Sequence, residues 1–290
     1  MTTKTDSFRK FRFPILLVAM IVVMVVAGLV NAAVVGLGPL SLVVGLGTAA
    51  AGLFAYTRLS RWLEQRDSVP ELAREKARPG LLRGAAIGVG AFLATMLLIG
   101  MFGGWDHFSA GSFWGFVASI GMMASASVNE ELLFRGVIFR FAQDRFGTWI
   151  ALALSAVLFG GSHLLNSGAT LWGAISIAIE AGITLGVCYV FTRSVWLPIG
   201  FHFAWNLFES GVFGTTVSGA SNAADGLLNT ALSGPAVLTG GSFGPEASLL
   251  AVLTCLVPAV FLIRKASRRG MVVPFRSRKT ETTTRLQTQS

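Results

Sequence analysis

The sequence has little charge and almost no cysteine. Charged residues make up 13% of its 290 positions, whereas soluble proteins average about 25%. Hydrophobic residues make up 53% and the mean hydropathy is +0.67, so there is too little polar surface to cover a soluble core. The two cysteines, Cys188 and Cys255, lie within apolar runs, which excludes a disulfide-rich secreted domain and indicates packing. We therefore expect an integral membrane protein.

The apolar residues come in long runs, which excludes the short alternating segments of a transmembrane β-barrel. Eight runs lie at 14–36, 38–56, 83–103, 113–134, 148–165, 171–191, 196–212 and 246–263. Each is long enough, or nearly so, to cross about 30 Å of hydrocarbon as a helix. The predicted fold is an all-α polytopic membrane protein with about eight transmembrane helices.

The net charge of +9 is sorted by membrane side, and nucleic acid is not needed to explain it. The Lys and Arg residues fall into five groups, at 4–12, 58–83, 135–145, 193 and 264–285. If the N-terminus is cytoplasmic and the spans alternate, all five groups lie in the cytoplasm, as the positive-inside rule predicts. We expect both termini to be cytoplasmic. The abundance of Ala, Gly, Val and Arg suggests a bacterial source and hence the inner (plasma) membrane.

The chain is predicted to hold one membrane domain between two tails. Residues 1–13 form a basic cytoplasmic tail, and residues 14–263 form a single transmembrane helical domain whose motif-bearing core is 113–212. Residues 264–290 are basic and polar, which predicts a disordered cytoplasmic tail.

Two connections and the first span carry further expectations. Residues 57–82 are predicted to be a charged, helical cytoplasmic connection, and the Gly- and Ser-rich residues 213–245 a flexible external loop. Residues 1–32 loosely resemble a signal peptide, but their apolar stretch exceeds the usual length of about 7–15 residues. We therefore expect the first helix to be retained.

Ionisable side chains are rare within the spans, and those present cluster. Each costs about 2.5–3.5 kcal/mol to insert into a bilayer, so each predicts a function. The fourth span carries Glu130, Glu131 and Arg135, the fifth carries His163, and the seventh carries His202 and Asn206.

Helical spacing separates the two glutamates. Glu131 and Arg135 are four residues apart, so they share a helix face and can neutralise each other as a supporting pair. Glu130 lies about 100° around the helix, and Phe134 stands at its i+4 position. Glu130 is therefore predicted to be a free carboxylate that acts as a general base. The alternative is that both glutamates serve helix association alone.

The two histidine-bearing spans complete a set that can activate water. His202 and Asn206 are four residues apart and can donate hydrogen bonds to an oxyanion, while His163 holds and polarises the water. Glu209 is predicted to continue the same helix face, seven residues after His202. The alternative for His202 and Asn206 is a simple polar contact between helices.

A divalent metal is the alternative to metal-free water activation. Two histidines and one carboxylate (His163, His202 and Glu130) would be an acceptable zinc set with an open position. The sequence has no His-Glu-x-x-His motif and its ligands are scattered. We therefore expect no obligatory metal, and zinc remains the second hypothesis.

The motifs Glu130-Glu131-xxx-Arg135, Phe159-xxx-His163 and His202-xxx-Asn206 resemble those of the CPBP family of intramembrane proteases. This family groups type II CAAX prenyl proteases with bacterial bacteriocin-processing and immunity proteins, and the resemblance spans about 117–208. It implies that the first glutamate of the pair is catalytic, that the first histidine corresponds to His163, and that the oxyanion-side His and Asn correspond to His202 and Asn206.

The sequence thus predicts an intramembrane endopeptidase that cleaves a hydrophobic peptide, with or without a lipid, or a small membrane protein. The alternatives are a non-catalytic immunity or scaffold protein and, less favoured, a proton- or cation-coupled transporter. The protease hypothesis requires Glu130, His163 and His202 to converge within about 10 Å. Glu180 and Glu209 are further carboxylates for which cavity-lining and helix-contact roles are both open.

Overall fold

The computed structural model describes residues 4–220 and 226–275 as a bundle of long helices. In chain order the α-helices are α1 (Lys4–Ala32), α2 (Pro39–Glu64), α3 (Ala77–Met101), α4 (Phe113–Glu131), α5 (Arg140–Phe146), α6 (Thr148–Ser162), α7 (Leu171–Ile177), α8 (Thr184–Thr192), α9 (Trp196–Asn206), α10 (Ala236–Thr239) and α11 (Leu249–Arg268). Wider π-helical turns continue three of them without a break, at Leu132–Phe139 after α4, Ala178–Ile183 after α7 and Leu207–Val212 after α9.

Within the described residues, six helical segments are long and apolar enough to cross a membrane. They are Phe11–Ala32, Pro39–Glu64, Pro70–Met101, Thr148–Leu165, Leu171–Thr192 and Leu249–Arg268. A polytopic helical membrane protein is thereby confirmed. The predicted spans 113–134 and 196–212 are helical but are not among these six. The polar residues of the first lower its mean hydropathy, and the second is too short. Eight spans and cytoplasmic termini stay predictions.

A small sheet makes the fold less purely helical than predicted. Strand β1 (Trp105–Ala110) pairs antiparallel with β2 (Leu228–Leu232). The predicted flexible loop 213–245 is therefore partly ordered, and it also buries Ser218 and Phe243. Its high content of Gly and Ser reflects tight turns as well as solvent exposure.

The boundaries of the membrane domain differ from those predicted. Helix α1 begins at Lys4, and α11 extends to Arg268. Beyond α11, the Val273 carbonyl accepts from the Thr148 backbone N–H at 2.9 Å, and the Val273 N–H donates to the Thr148 hydroxyl at 2.8 Å. The predicted disordered tail 264–290 is thus wrong for its first residues, and 276–290 lie outside the described residues.

Close backbone contacts set the positions of the motif helices. A Cβ on Gly84 of α3 would lie 2.2 Å from the Leu197 carbonyl oxygen of α9, and a Cβ on Gly45 of α2 would lie 2.2 Å from the Gly121 backbone of α4. Only glycine permits such approach, which is how membrane helices gain packing energy. The helix that carries His202 is thereby held against α3.

The predicted connection 57–82 is helical only in part. Helix α2 runs on to Glu64, and short 3-10 turns at Pro70–Leu72 and Arg74–Lys76 lead into α3. The two terminal guanidinium nitrogens of Arg140 donate hydrogen bonds to the Glu64 carboxylate, at 2.7 and 2.6 Å. This ion pair anchors the connection to α5.

A buried tyrosine links the same connection to the helical segment that follows Glu130 and Glu131. The Tyr56 hydroxyl lies 2.8 Å from the Gly136 carbonyl oxygen, in the π turn after α4, and 2.5 Å from Glu71 Oε1. Tyr56 and Glu71 are buried. The π turn is therefore braced from outside the motif segment.

Candidate active site

The four predicted catalytic side chains line one cavity of about 430 Å³. Glu130 stands at the C-terminal end of α4, His163 in the 3-10 turn His163–Leu165 that ends α6, and His202 and Asn206 on α9. His202 Nε2 lies 3.9 Å from Glu130 Oε2. Side chains 72 residues apart in sequence are thus brought together by the packing of α4 against α9.

Glu131 and Arg135 form a fully buried ion pair. Arg135 Nη1 donates to Glu131 Oε1 at 2.7 Å, and both side chains are 0% exposed. The same Glu131 oxygen accepts from His202 Nδ1 at 3.0 Å. Because a carboxylate only accepts, Nδ1 must carry a proton, which directs Nε2 towards Glu130 and the cavity.

The second end of the Arg135 guanidinium is held by a π turn. Its Nη2 donates to the carbonyl oxygens of Ala181 and Gly182, each at 3.1 Å, within Ala178–Ile183. A widened turn leaves carbonyls available to accept from a side chain, and π-helical turns are frequent at functional sites. Arg135 therefore connects the π turn after α4 to the segment that joins α7 and α8.

Glu130 has a different environment from its neighbour. Its side chain is 23% exposed, against 0% for Glu131. Among the residues that the structure describes, its Oε2 has no hydrogen-bond partner. A carboxylate that lines a cavity and retains an unpaired oxygen has the geometry required to accept a proton from water.

His163 is oriented by its own helix. Its Nδ1 donates to the Phe159 carbonyl oxygen at 2.8 Å, which leaves Nε2 for the cavity. The Phe159 ring lies 4.9 Å from the His163 ring and 6.0 Å from the His202 ring, with the Arg135 guanidinium carbon 4.8 Å from its centroid. Phe159 therefore packs against both histidines and against the Arg135 guanidinium.

The helix of His202 and Asn206 does not continue as predicted. Both side chains line the cavity, but the next residue to do so is Ser210. Glu209, expected on this face at i+7, is fully buried away from the cavity. The π turn Leu207–Val212 explains the change, because it adds a residue to the turn and rotates the following positions.

Glu180 also lies outside the cavity. It is 1% exposed and stands in the π turn Ala178–Ile183. The lining of the cavity does not include it, so the structure favours the helix-contact role over the substrate-facing one.

The structure adds polar cavity residues that the motif analysis missed. Asn31 of α1 lines the cavity, and its Nδ2 donates to Ser125 Oγ at 3.1 Å and to Thr48 Oγ1 at 2.9 Å. Asn166 and Ser218 line it as well. An asparagine within an apolar first span was a visible signal for Asn31, whereas no signal in the sequence places Ser218 beside the motifs.

The side chains as they stand do not form a metal site. Among the described residues, no group of three His, Cys, Asp or Glu side chains has the geometry to hold a metal ion. His163, His202 and Glu130 share the cavity, and the His202 Nδ1 contact with Glu131 leaves Nε2 on the cavity side. The proposed chemistry therefore contains no step through a metal.

Comparison with known families agrees with the motifs. Residues 112–208 match the family model described as Type II CAAX prenyl endopeptidase Rce1-like. No curated protein and no solved structure matches the chain. The match confirms the resemblance to CAAX-type intramembrane proteases. Together with the apolar helices, it supports a hydrolase that is embedded in the membrane.

Proposed function

We propose that this chain, whose residues 112–208 are Rce1-like, is an intramembrane endopeptidase that uses Glu130 to activate water. The observation that best supports this is the meeting of Glu130, His163, His202 and Asn206 in one cavity. Glu130 and the two histidines can move or hold a proton, and Asn206 can donate hydrogen bonds to an oxyanion.

Glu130 acts as the general base and then as the acid. The Glu130 carboxylate takes a proton from a water molecule that His163 Nε2 holds, and the resulting hydroxide attacks the carbonyl carbon of the scissile peptide bond. The C–O bond forms as the carbonyl electron pair moves to oxygen. Glu130 then passes its proton to the leaving nitrogen as the C–N bond breaks, which restores the carboxylate.

His202 and Asn206 stabilise the negative charge of the tetrahedral intermediate. Nδ1–H of His202 is engaged by Glu131, so the ring must carry a second proton to present an Nε2–H to the oxyanion. The Asn206 amide donates from one helical turn further along α9. Fixed donors in a site that excludes water stabilise developing charge without reorganisation, and each such donor contributes about 3–4 kcal/mol.

The lining of the cavity favours a hydrophobic substrate. Apolar side chains from α1, from the turn after it and from α4, including Met24, Val35, Met122 and Met123, line the same cavity. Unbranched methionine adapts to irregular apolar shapes. We therefore expect a membrane-associated peptide or small membrane protein, with or without a lipid, in the bacterial inner (plasma) membrane.

The test is N-terminal proteomics on membranes that contain the wild-type chain or its Glu130→Ala variant at matched levels. Glu75→Ala is the control, since Glu75 is exposed in the turn Arg74–Lys76, away from the cavity. New peptide termini are expected with the wild type and the control, and not with Glu130→Ala. These termini also name the substrates.

Two results would contradict the proposal. Identical termini in all three samples, with the cellular phenotype intact, would indicate a non-catalytic scaffold or immunity protein. A pH- or ion-dependent flux in liposomes that requires Glu130, without new termini, would indicate a transporter.

A further inference from the structure

Glu246 joins two walls of the cavity from outside the Rce1-like segment. It lies in the 3-10 turn Pro245–Ala247 before α11 and is 2% exposed. Its Oε1 accepts from Trp205 Nε1 at 3.1 Å, and its Oε2 accepts from Ser218 Oγ at 2.5 Å. Both carboxylate oxygens are therefore used, each by a different part of the chain.

One of these hydrogen bonds leads to the oxyanion side. Trp205 immediately precedes Asn206 on α9 and follows His202 by three residues. Its ring also packs edge-on against Phe92 of α3, with centroids 5.2 Å apart. The Glu246 hydrogen bond thus fixes the rotation of α9 at the level of the predicted oxyanion donors.

The other hydrogen bond leads to the side of His163. Ser218 lines the cavity, and its carbonyl oxygen accepts from Asn166 Nδ2 at 2.7 Å. Asn166 also lines the cavity and ends the 3-10 turn that begins at His163. A short chain of contacts therefore runs from Glu246 to the residue that holds the water.

The backbone at Ser218 indicates that this connection is under constraint. Ser218 has φ +50, in the left-handed region, which residues with a Cβ rarely adopt. Such a conformation persists only where its surroundings hold it. Glu246 holds the Ser218 side chain, and Asn166 holds its carbonyl group.

We propose that Glu246 is a positioning residue that sets the distance between the His202–Asn206 wall and the His163–Asn166 wall. Its role in turnover rests on the proposed function, whereas its role in wall geometry does not. A misplacement of about 1 Å costs up to about 100-fold in rate, so a bridge between the two walls acts on catalysis without touching substrate.

The test compares Glu246→Ala with Glu246→Gln. The amide can accept from Trp205 through its oxygen and donate to the Ser218 hydroxyl, which accepts equally well. Glu246→Gln should keep the rate at which Glu130-dependent termini appear within about 3-fold of wild type, and Glu246→Ala should lower it about 10- to 100-fold. If Gln is as damaging as Ala, a carboxylate is needed for another reason and the positioning role is wrong.

Trp172→Phe is the matched control. The Trp172 indole donates to the Ala247 carbonyl oxygen at 2.8 Å, so this variant removes an equivalent hydrogen bond from the same turn without a link to the cavity. It should leave the rate within about 3-fold of wild type. An effect as large as that of Glu246→Ala would mean that any loosening of the turn suffices, which overturns the inference.

Hydrogen–deuterium exchange tests the geometry without an assay of proteolysis. Amides at 163–168 and 216–220 should exchange faster in Glu246→Ala than in wild type and return to wild-type rates in Glu246→Gln. Unchanged exchange in Glu246→Ala overturns the inference even if the chain is a protease. Should Glu130→Ala show the proposed function to be wrong, this measurement still decides the role of Glu246.

A second variant covers the case in which Glu246→Ala does not accumulate in membranes. Ser218→Ala removes one of the two hydrogen bonds and should raise exchange at 163–168. Exchange identical to that of wild type contradicts the inference.

Discussion

The buried pair of Glu131 and Arg135 makes a quantitative prediction about stability. Arg135→Met removes the 2.7 Å ion pair and the two 3.1 Å hydrogen bonds to Ala181 and Gly182. Breaking a buried pair by removing one partner costs about 3–5 kcal/mol, because the other charge is left uncompensated. Most of that cost should arise from Glu131, which is 0% exposed and keeps only His202 as a charged neighbour among the described residues.

Removing both charges should therefore be less harmful than removing one. The double variant Glu131→Gln, Arg135→Met should be more stable than Arg135→Met alone, and the coupling energy between the two positions should be about 0.5–3 kcal/mol, the range for residues in contact. Unfolding in mixed micelles, followed by tryptophan fluorescence across the four proteins of the cycle, measures this difference.

The activity of the double variant separates support from catalysis. We expect no proteolysis from it even where stability is regained, because His202 Nδ1 would lose the carboxylate that orients it. Additivity of the two substitutions within about 0.5 kcal/mol would refute the argument that the pair is one electrostatic unit. Full activity of the double variant would refute the orienting role of Glu131.

Four further predictions concern packing, the oxyanion, the metal and the Tyr56 hydroxyl. Gly84→Val should block the approach of α3 to the α9 backbone and lower the yield of folded protein in detergent, whereas Gly90→Val, with open space around its Cβ, should not; equal yields would contradict the packing argument. Asn206→Ala should lower the rate of substrate cleavage by about 10²–10³-fold while the unfolding midpoint stays near that of wild type. Cleavage by purified protein should survive treatment with a strong zinc chelator, and a loss that added zinc restores would favour the metal mechanism. Tyr56→Phe should cost about 0.5–1.5 kcal/mol in the same unfolding assay, because one buried hydrogen bond is lost while the Gly136 carbonyl keeps Arg140 Nε as a donor.

The sequence predicted those parts of the site that depend on regular helix geometry over a single turn. The pairing of Glu131 with Arg135 and the shared face of His202 and Asn206 follow from a spacing of four residues, and the structure contains both arrangements. The different exposure of Glu130 follows from the same geometry. Apolar run length likewise located every long helix, although the ends shifted by several residues.

Features that depend on tertiary contacts were not predictable in this way. Asn31 reaches the cavity because α1 packs against α2 and α4, and nothing local to its sequence specifies that neighbour. The Gly-rich residues 213–245 were predicted to be flexible because turn-forming residues mark loops. Strand β2 is ordered by pairing with β1, which is distant in sequence, and Ser218 is held by Glu246.

The failure at Glu209 has a more general cause. Each of the three π turns in the described part of the chain contains a buried ionisable residue, namely Arg135, Glu180 or Glu209. A regular α-helix satisfies its backbone internally and leaves little to bond with a charged side chain inside the bilayer. A widened turn frees carbonyls, as Ala181 and Gly182 show by accepting from Arg135. Regular helix geometry should therefore not be extrapolated beyond the turn that contains an ionisable residue within a predicted span. Two residues seven positions apart cannot be assumed to share a helix face when such a residue lies between them.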